Sequence, residues 1–171
     1  RERFEREIES LTRLPHPHIV KVLDAGSLAR DGGQEPLPYS ILEYLAGGSL
    51  KDRLVAAGGH QTTSEVADWI LPVAQALDFI HWKEVVHRDV KPGNVLFDES
   101  GNVFLADFGI AKALGAVDTG LTQTGATPGS PDYMAPEVVT GGPLGPAYDQ
   151  YALAVVVYQA LSGQLPHGPG S

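Results

Sequence analysis

Apolar residues in the segment 62–80 recur at the spacing that most constrains how this chain folds. The intervals are four, three, four and three residues, and they join Val66, Ile70, Val73, Leu77 and Ile80. That period is one face of an α-helix. Thr62 and Glu65 precede the pattern with the spacing of a capping box. A second long helix is predicted from about Tyr148 to Leu161, with Gly163 as its end.

The remaining segments predict a mixed α+β unit. Strands are expected over 19–28 and 39–45, and helices over 1–14 and 49–57. Short strands separated by polar turns are predicted between 85 and 107, and a loop over 108–134. Glycine and proline contribute 20 and 13 of the 171 residues without a Gly-X-Y period, which indicates a loop-rich globular fold and excludes collagen.

Composition excludes several classes of protein. The net charge is −9, so neither a nucleic-acid surface nor contact with an anionic membrane is expected. There is no cysteine, which excludes a disulfide scaffold. The longest apolar run, 152–157, is far shorter than the ~20 residues that span a bilayer. We therefore expect this segment to be cytoplasmic, with any membrane anchor of the parent protein outside it.

Three short motifs follow one another in a specific order. They are His87-Arg88-Asp89-Val90-Lys91-Pro92-Gly93-Asn94, then Asp107-Phe108-Gly109, then Ala135-Pro136-Glu137. Taken singly, each acidic residue would be read as a turn or capping residue. Together, the chain resembles the eukaryotic-type serine/threonine protein kinases of bacteria. The resemblance implies a two-lobed kinase fold with a partial small lobe, of one helix plus two strands, and the first part of a mainly helical large lobe.

The resemblance also implies roles at the centre of the site. Asp89 matches the carboxylate that accepts the substrate hydroxyl proton, and Lys91 matches the lysine that meets the transferred phosphate. Asn94 and Asp107 match the ligands of Mg²⁺, with Mn²⁺ as an alternative, and both offer the hard oxygen atoms that these ions require. A lysine at position 91 points to serine/threonine substrates.

Further positions match the nucleotide site of the family. The backbone of Glu43 and Leu45 corresponds to the hinge that binds the adenine of ATP, and Leu96 is expected to contact the cofactor as well. Leu42 would form a wall of the same pocket. Glu7 corresponds to the helix glutamate that pairs with the ATP-binding lysine.

Regulation by phosphorylation is predicted for the loop after Asp107. Thr124 is the first candidate, followed by Thr122 and Thr127. No lysine or arginine occurs in 113–171, so the receiving cations must lie elsewhere. The family pattern gives them as Arg88, Lys112 and Arg3. Asp149 matches the residue that holds the catalytic-loop backbone.

The departures from the family pattern define the alternatives. No Gly-rich loop or strand lysine precedes Glu7. We therefore expect one partial kinase domain over 1–171, with 1–45 as small-lobe remnant and hinge and 46–171 as an incomplete large lobe. As given, the chain would be an inactive central fragment. The alternatives are a pseudokinase or scaffold and, less compatible with Ala135-Pro136-Glu137, a small-molecule phosphotransferase. Expected partners are proteins with Ser/Thr sites, including a second copy phosphorylated in trans.

Overall fold

The computed structural model describes residues 15–29, 37–107, 131–139, 141–142 and 145–167. The predicted helix over 1–14 and most of the predicted loop lie outside these ranges. Within them the elements are β1 (Val22–Leu28), β2 (Leu37–Leu42), α1 (Leu50–Ala56), α2 (Thr63–Trp82), β3 (Val95–Phe97), β4 (Val103–Leu105), α3 (Pro136–Val139) and α4 (Pro146–Ser162). Short 3-10 turns lie at Pro92–Asn94 and Pro131–Tyr133.

The first two strands form an antiparallel pair in which Gly26 lies opposite Tyr39. The pairing is irregular between Val22 and Asp24. The sequence predicted both strands but set the second too late. It begins at Leu37 and ends at Leu42, because residues 37 and 38 pair with the end of β1.

The start of α2 and the end of α4 are those that the sequence predicted, whereas α4 begins at Pro146, two residues before the predicted start. At the start of α2, the Thr62 hydroxyl accepts a hydrogen bond from the Glu65 backbone N–H at 3.3 Å. The Glu65 carboxylate accepts the Thr62 N–H at 2.7 Å, which completes the capping box. The helix α4 ends at Gly163, whose φ of 73° is the left-handed conformation that glycine adopts without strain.

The main core lies between α2, α4 and the β3–β4 pair. Trp69 is 1% exposed, and its Nε1–H donates to the Gln61 side chain at 3.0 Å, so the indole is buried without an unpaired donor. Burial removes the apolar faces of both helices from water, and this hydrophobic effect is the main contribution to the stability of the fold. The buried residues of α2 are Val66, Trp69, Val73, Ala76, Leu77 and Ile80.

The short β3–β4 hairpin connects this core to the candidate site. Its strands pair antiparallel, with Leu96 opposite Phe104. Ile19 forms a parallel bridge to Leu105 on one side, and Ser49 an antiparallel bridge to Leu96 on the other. The hairpin therefore joins the segments before β1 and before α1.

Two further observations concern the helices. The one-turn helix α3, which contains Glu137, was not predicted, since four residues are too few to show a period. Among the described helices, none is both long and apolar enough to cross a membrane.

Candidate active site

The segments 87–94 and 106–107 meet at the ends of the β3–β4 hairpin. The Ala106 N–H donates to the Asn94 carbonyl at 2.8 Å. The His87 Nε2–H donates to the Ala106 carbonyl at 2.9 Å. These bonds place Asp107, the next residue, beside the loop that carries Asp89.

The side chains of Asp89, Lys91 and Asn94 form one hydrogen-bonded group. Lys91 Nζ lies 2.6 Å from Asp89 Oδ2. The Asn94 Nδ2 donates to the Asp89 carbonyl at 2.7 Å and to Asp89 Oδ2 at 3.2 Å. The Asp89 side chain is only 14% exposed and that of Lys91 31%. A carboxylate and an ammonium so placed are held in a fixed geometry and screened little by water.

His87 is buried and contacts the group of Asp89, Lys91 and Asn94 through the Asp89 backbone. The Asp89 N–H donates to His87 Nδ1 at 3.2 Å, while the opposite ring nitrogen donates to Ala106. One nitrogen accepts and the other donates, which is the pattern of a neutral imidazole. Burial lowers the pKa of His87, although the nearby Asp149 carboxylate acts in the opposite direction. His87 is therefore a neutral structural residue at pH 7.

Asp149 fixes the backbone of the same loop. Its carboxylate is fully buried and accepts the N–H groups of His87 at 2.8 Å and Arg88 at 2.9 Å. A third bond comes from His81 Nε2 at 2.8 Å. Three donors on one buried carboxylate compensate for its loss of hydration.

Two residues of the site have backbone conformations that side chains disfavour. Arg88 has φ 68° and Asp107 has φ 61°. Each costs on the order of 1 kcal/mol or more, which the surrounding bonds must offset. Arg88 Nε is the one buried side-chain nitrogen or oxygen of the described residues for which no hydrogen-bond partner is found.

The oxygen atoms at this point suit a hard cation. The Asn94 Nδ2 is used by Asp89, which leaves the Asn94 Oδ1 as an acceptor, and the Asn94 backbone carbonyl is bonded to Ala106, the neighbour of Asp107. An amide and a carboxylate oxygen, with phosphate and water oxygens, match the ligands that Mg²⁺ prefers. No cluster of three or more His, Asp or Glu that could hold a metal occurs in the described part of the chain.

The predicted nucleotide-binding residues lie along the segment between β2 and α1 and on β3. The Glu43 N–H donates to the Lys21 carbonyl at 2.9 Å. Leu45 and Leu96 are half-buried. Six predicted site residues lie outside the described ranges, namely Arg3, Glu7, Lys112, Thr122, Thr124 and Thr127.

Sequence reasoning missed two features of this site. His81 was not singled out, and it is the side chain that completes the set of donors to Asp149. The Gly47-Gly48 pair indicates in the sequence only the end of the strand predicted over 39–45, yet the Gly47 backbone bonds to Phe97. Neither has a local signal, since both depend on segments that are distant in sequence.

Comparison with known proteins agrees with the geometry. The family model for the protein kinase domain matches residues 1–170. A probable serine/threonine-protein kinase of Corynebacterium efficiens is 39% identical over 166 residues, which cover 97% of this chain and 25% of that protein. The serine/threonine-protein kinase PknB of Mycobacterium tuberculosis is 38% identical over 164 residues, or 96% of this chain and 26% of that protein.

A solved structure shares the fold. The crystal structure of a point mutant of the PknI kinase domain of Mycobacterium tuberculosis aligns with a TM-score of 0.73 and 34% identity. The alignment covers 97% of this chain and 58% of that one.

This chain belongs to the protein kinase family, and it has the kinase-like fold that the sequence predicted. The relatives named here are bacterial serine/threonine protein kinases. The chain spans about a quarter of the length of these curated relatives.

Proposed function

We propose that the protein containing this chain is a serine/threonine protein kinase, which transfers the γ-phosphate of ATP to serine or threonine hydroxyls of proteins. The observation that carries the proposal is the bonded group of Asp89, Lys91 and Asn94, held against the segment that leads to Asp107. Phosphoryl transfer depends mainly on positioning and on charge neutralisation, and this group provides both.

Each side chain has a distinct task in this proposal. Asp89 accepts the proton of the substrate hydroxyl as the hydroxyl oxygen attacks the γ-phosphorus and ADP leaves. Lys91, bonded to Asp89 Oδ2, neutralises charge on the transferred phosphoryl group. Asn94 and Asp107 would hold Mg²⁺, or Mn²⁺, which when bound neutralises the phosphates.

The nucleotide base would bind along the segment 43–45. The backbone of Glu43 and Leu45 would bond to adenine, with Leu96 beneath the ring and Leu42 at the side. Glu7 would form the ion pair that orients the ATP-binding lysine. The half-burial of Leu45 and Leu96 supports a partly apolar site for the base.

A phosphate-transfer assay on the full-length protein tests the proposed function. We expect Mg²⁺-dependent transfer from labelled ATP to a protein substrate. The substitution Asp89→Asn should lower kcat by about 10²–10⁴, the range for a positioned acid–base group. Asp107→Asn should be at least as severe, because it removes a charged metal ligand.

The matched control replaces an exposed carboxylate outside the site. Glu99→Gln, in the β3–β4 turn, should retain full activity. Equal turnover in the wild type and the two site variants would contradict the assigned roles. No transfer by the wild type, with nucleotide binding retained, would favour the alternative of a pseudokinase or scaffold.

Phosphorylation of the loop between Asp107 and Pro131 is the regulation that we propose. The buried Arg88 Nε, which lacks a hydrogen-bond partner, supports an anion binding beside Asp89. A phosphate on Thr124, or on Thr122 or Thr127, adds about −1.5 to −2 charges and would be received by Arg88, with Lys112 and Arg3 as further cations. A second copy would add this phosphate in trans.

Mass spectrometry of the active full-length protein tests the regulation. We expect phosphate on at least one of the three threonines and a loss of activity in the double variant Thr122→Ala/Thr124→Ala. Absence of phosphate at all three sites, with full activity in that variant, would refute it.

A further inference from the structure

Gly47 is held against β3 by backbone hydrogen bonds on both sides. The Gly47 N–H donates to the Phe97 carbonyl at 2.8 Å, and the Phe97 N–H donates to the Gly48 carbonyl at 2.9 Å. Ser49 then bridges to Leu96. The segment 47–49 is in effect a third strand beside the β3–β4 hairpin.

The approach is so close that no side chain fits at position 47. A Cβ built on Gly47 would lie 2.2 Å from the Asp98 carbonyl oxygen and 2.6 Å from that of Phe97. Both obstacles are backbone atoms, one in β3 and one in the hydrogen-bonded turn that follows it, so they cannot move aside as a flexible side chain would.

This requirement for glycine is steric and not conformational. Gly47 is not among the residues with positive φ, whereas its neighbour Gly48 has φ 72°. At Gly48 the nearest atom to a Cβ is the Asp52 carboxylate oxygen, at 3.4 Å. Two adjacent glycines therefore meet different needs. Gly48 makes the turn into α1, and Gly47 permits contact with β3.

The segment 43–47 is fixed at both ends by this arrangement. At one end the Glu43 N–H bonds to Lys21, and at the other Gly47 bonds to Phe97. From the helix side, the Arg53 guanidinium lies 3.3 Å from the centre of the Phe97 ring. Leu45 lies between the two fixed ends, and Leu96 lies next to Phe97 on the strand that holds one of them.

We propose that Gly47 is a positioning residue for nucleotide recognition, which sets the distance between the backbone of 43–45 and Leu96 by direct contact with the 97–98 backbone. The inference rests on the proposed function, since it takes those residues as the adenine site. A side chain at 47 pushes the segment away from β3 and widens the slot that receives the flat base.

Binding of adenosine to the full-length protein, measured by titration calorimetry, tests this inference. Adenosine lacks phosphates, so its affinity reports on the base site and not on Mg²⁺ or the catalytic group. Loss of one hydrogen bond to the base corresponds to about two- to tenfold in affinity. We expect Gly47→Ala to raise the Kd of adenosine by about two- to tenfold, and the KM for ATP with it, while kcat at saturating ATP stays within about threefold.

The matched control is Gly145→Ala. Gly145 has φ −150°, and a Cβ there meets no atom within 4 Å. The Kd of adenosine for Gly145→Ala should therefore equal that for the wild type. The fitted stoichiometry reports the folded fraction separately from the affinity. A Gly47→Ala protein with unchanged Kd and a reduced stoichiometry would overturn the inference, because Gly47 would then serve folding alone.

A milder substitution decides the question if Gly47→Ala does not fold. Arg53→Ala removes the cation above Phe97 without any clash, so it loosens one fixed end of the segment 43–47 and leaves Gly47 in place. A rise in the Kd of adenosine above that of the Gly145→Ala control supports the inference, and a Kd equal to that control overturns it. Wild-type protein that binds adenosine but transfers no phosphate refutes the proposed function and leaves this test intact. Wild-type protein that transfers phosphate but binds no adenosine refutes the inference and leaves the proposed function intact.

Discussion

At the scale of single residues, Asp149 has the largest predicted effect on stability. The substitution Asp149→Ala leaves two buried N–H groups, on His87 and Arg88, without an acceptor, and it also removes the acceptor of His81. Each unsatisfied buried donor costs about 1–3 kcal/mol. We expect a loss of about 2–5 kcal/mol in the free energy of unfolding, measured by urea denaturation.

Asp149→Asn is the informative comparison for that prediction. An asparagine keeps one acceptor oxygen and can satisfy part of the loop, so it should lose less than the alanine variant. Equal stability of the wild type and Asp149→Ala would show that the three bonds do not hold the loop.

His87 gives the protein a predictable dependence on pH. Burial lowers the pKa of His87 below its ordinary value of 6.5, so the unfolded chain takes up a proton at a higher pH than the folded chain. Neutral His87 therefore makes its full contribution to the free energy of unfolding above about pH 6.5. As the pH falls below that value the free energy of unfolding decreases, with a limiting slope of about 1.4 kcal/mol per pH unit.

Urea denaturation at a series of pH values between 5 and 7.5 measures this slope. The variant His87→Gln has no titrating group at that position. Its free energy of unfolding should therefore depend less steeply on pH, by the contribution of one proton. An identical slope in both proteins would mean that another group is responsible.

At the scale of secondary-structure elements, the N-terminus of α2 should depend on its capping box. Thr62→Ala removes the hydroxyl that accepts the Glu65 N–H, and loss of such a cap costs about 1 kcal/mol. Thr63→Ala changes the neighbouring exposed threonine in the first turn, which has no capping role, and should be nearly neutral. Thermal unfolding of the two variants side by side makes the comparison; equal midpoints would contradict the role of the cap.

At the scale of the whole molecule, the β1–β2 pair is expected to promote self-association of the isolated chain 1–171. Among the described residues this sheet has two strands, and Leu23 and Ile41 on it are 57% and 49% exposed. Two-stranded sheets with open edges are marginally stable and pair with other chains.

Light scattering coupled to size-exclusion chromatography tests this prediction. We expect masses above 18.2 kDa that rise with concentration. Ile41→Glu should reduce the association, while Leu71→Glu, at an even more exposed apolar position on α2, should not. A wild-type chain that stays monomeric and melts cooperatively would contradict it.

The sequence alone determined the elements and residue types whose signals are local. The period of α2, its capping box and the glycine after α4 are read within a few residues, because helix geometry repeats every 3.6 residues. The order of the three motifs was likewise sufficient to identify the kinase family. Proposed chemistry requires a carboxylate, a lysine and an amide at short spacing, and these occur within the single segment 89–94.

Only the tertiary structure decided which distant segments support that chemistry. His81 and Asp149 are 68 residues apart, and they meet because α2 and α4 pack against each other. The close backbone contact at Gly47 arises because the segment after β2 pairs with β3. Side-chain periodicity specifies which face of an element is buried, but not which partner covers it or how closely two backbones approach. For that reason the bonds to Asp149 and the contact at Gly47 are visible in the tertiary structure and not in the sequence.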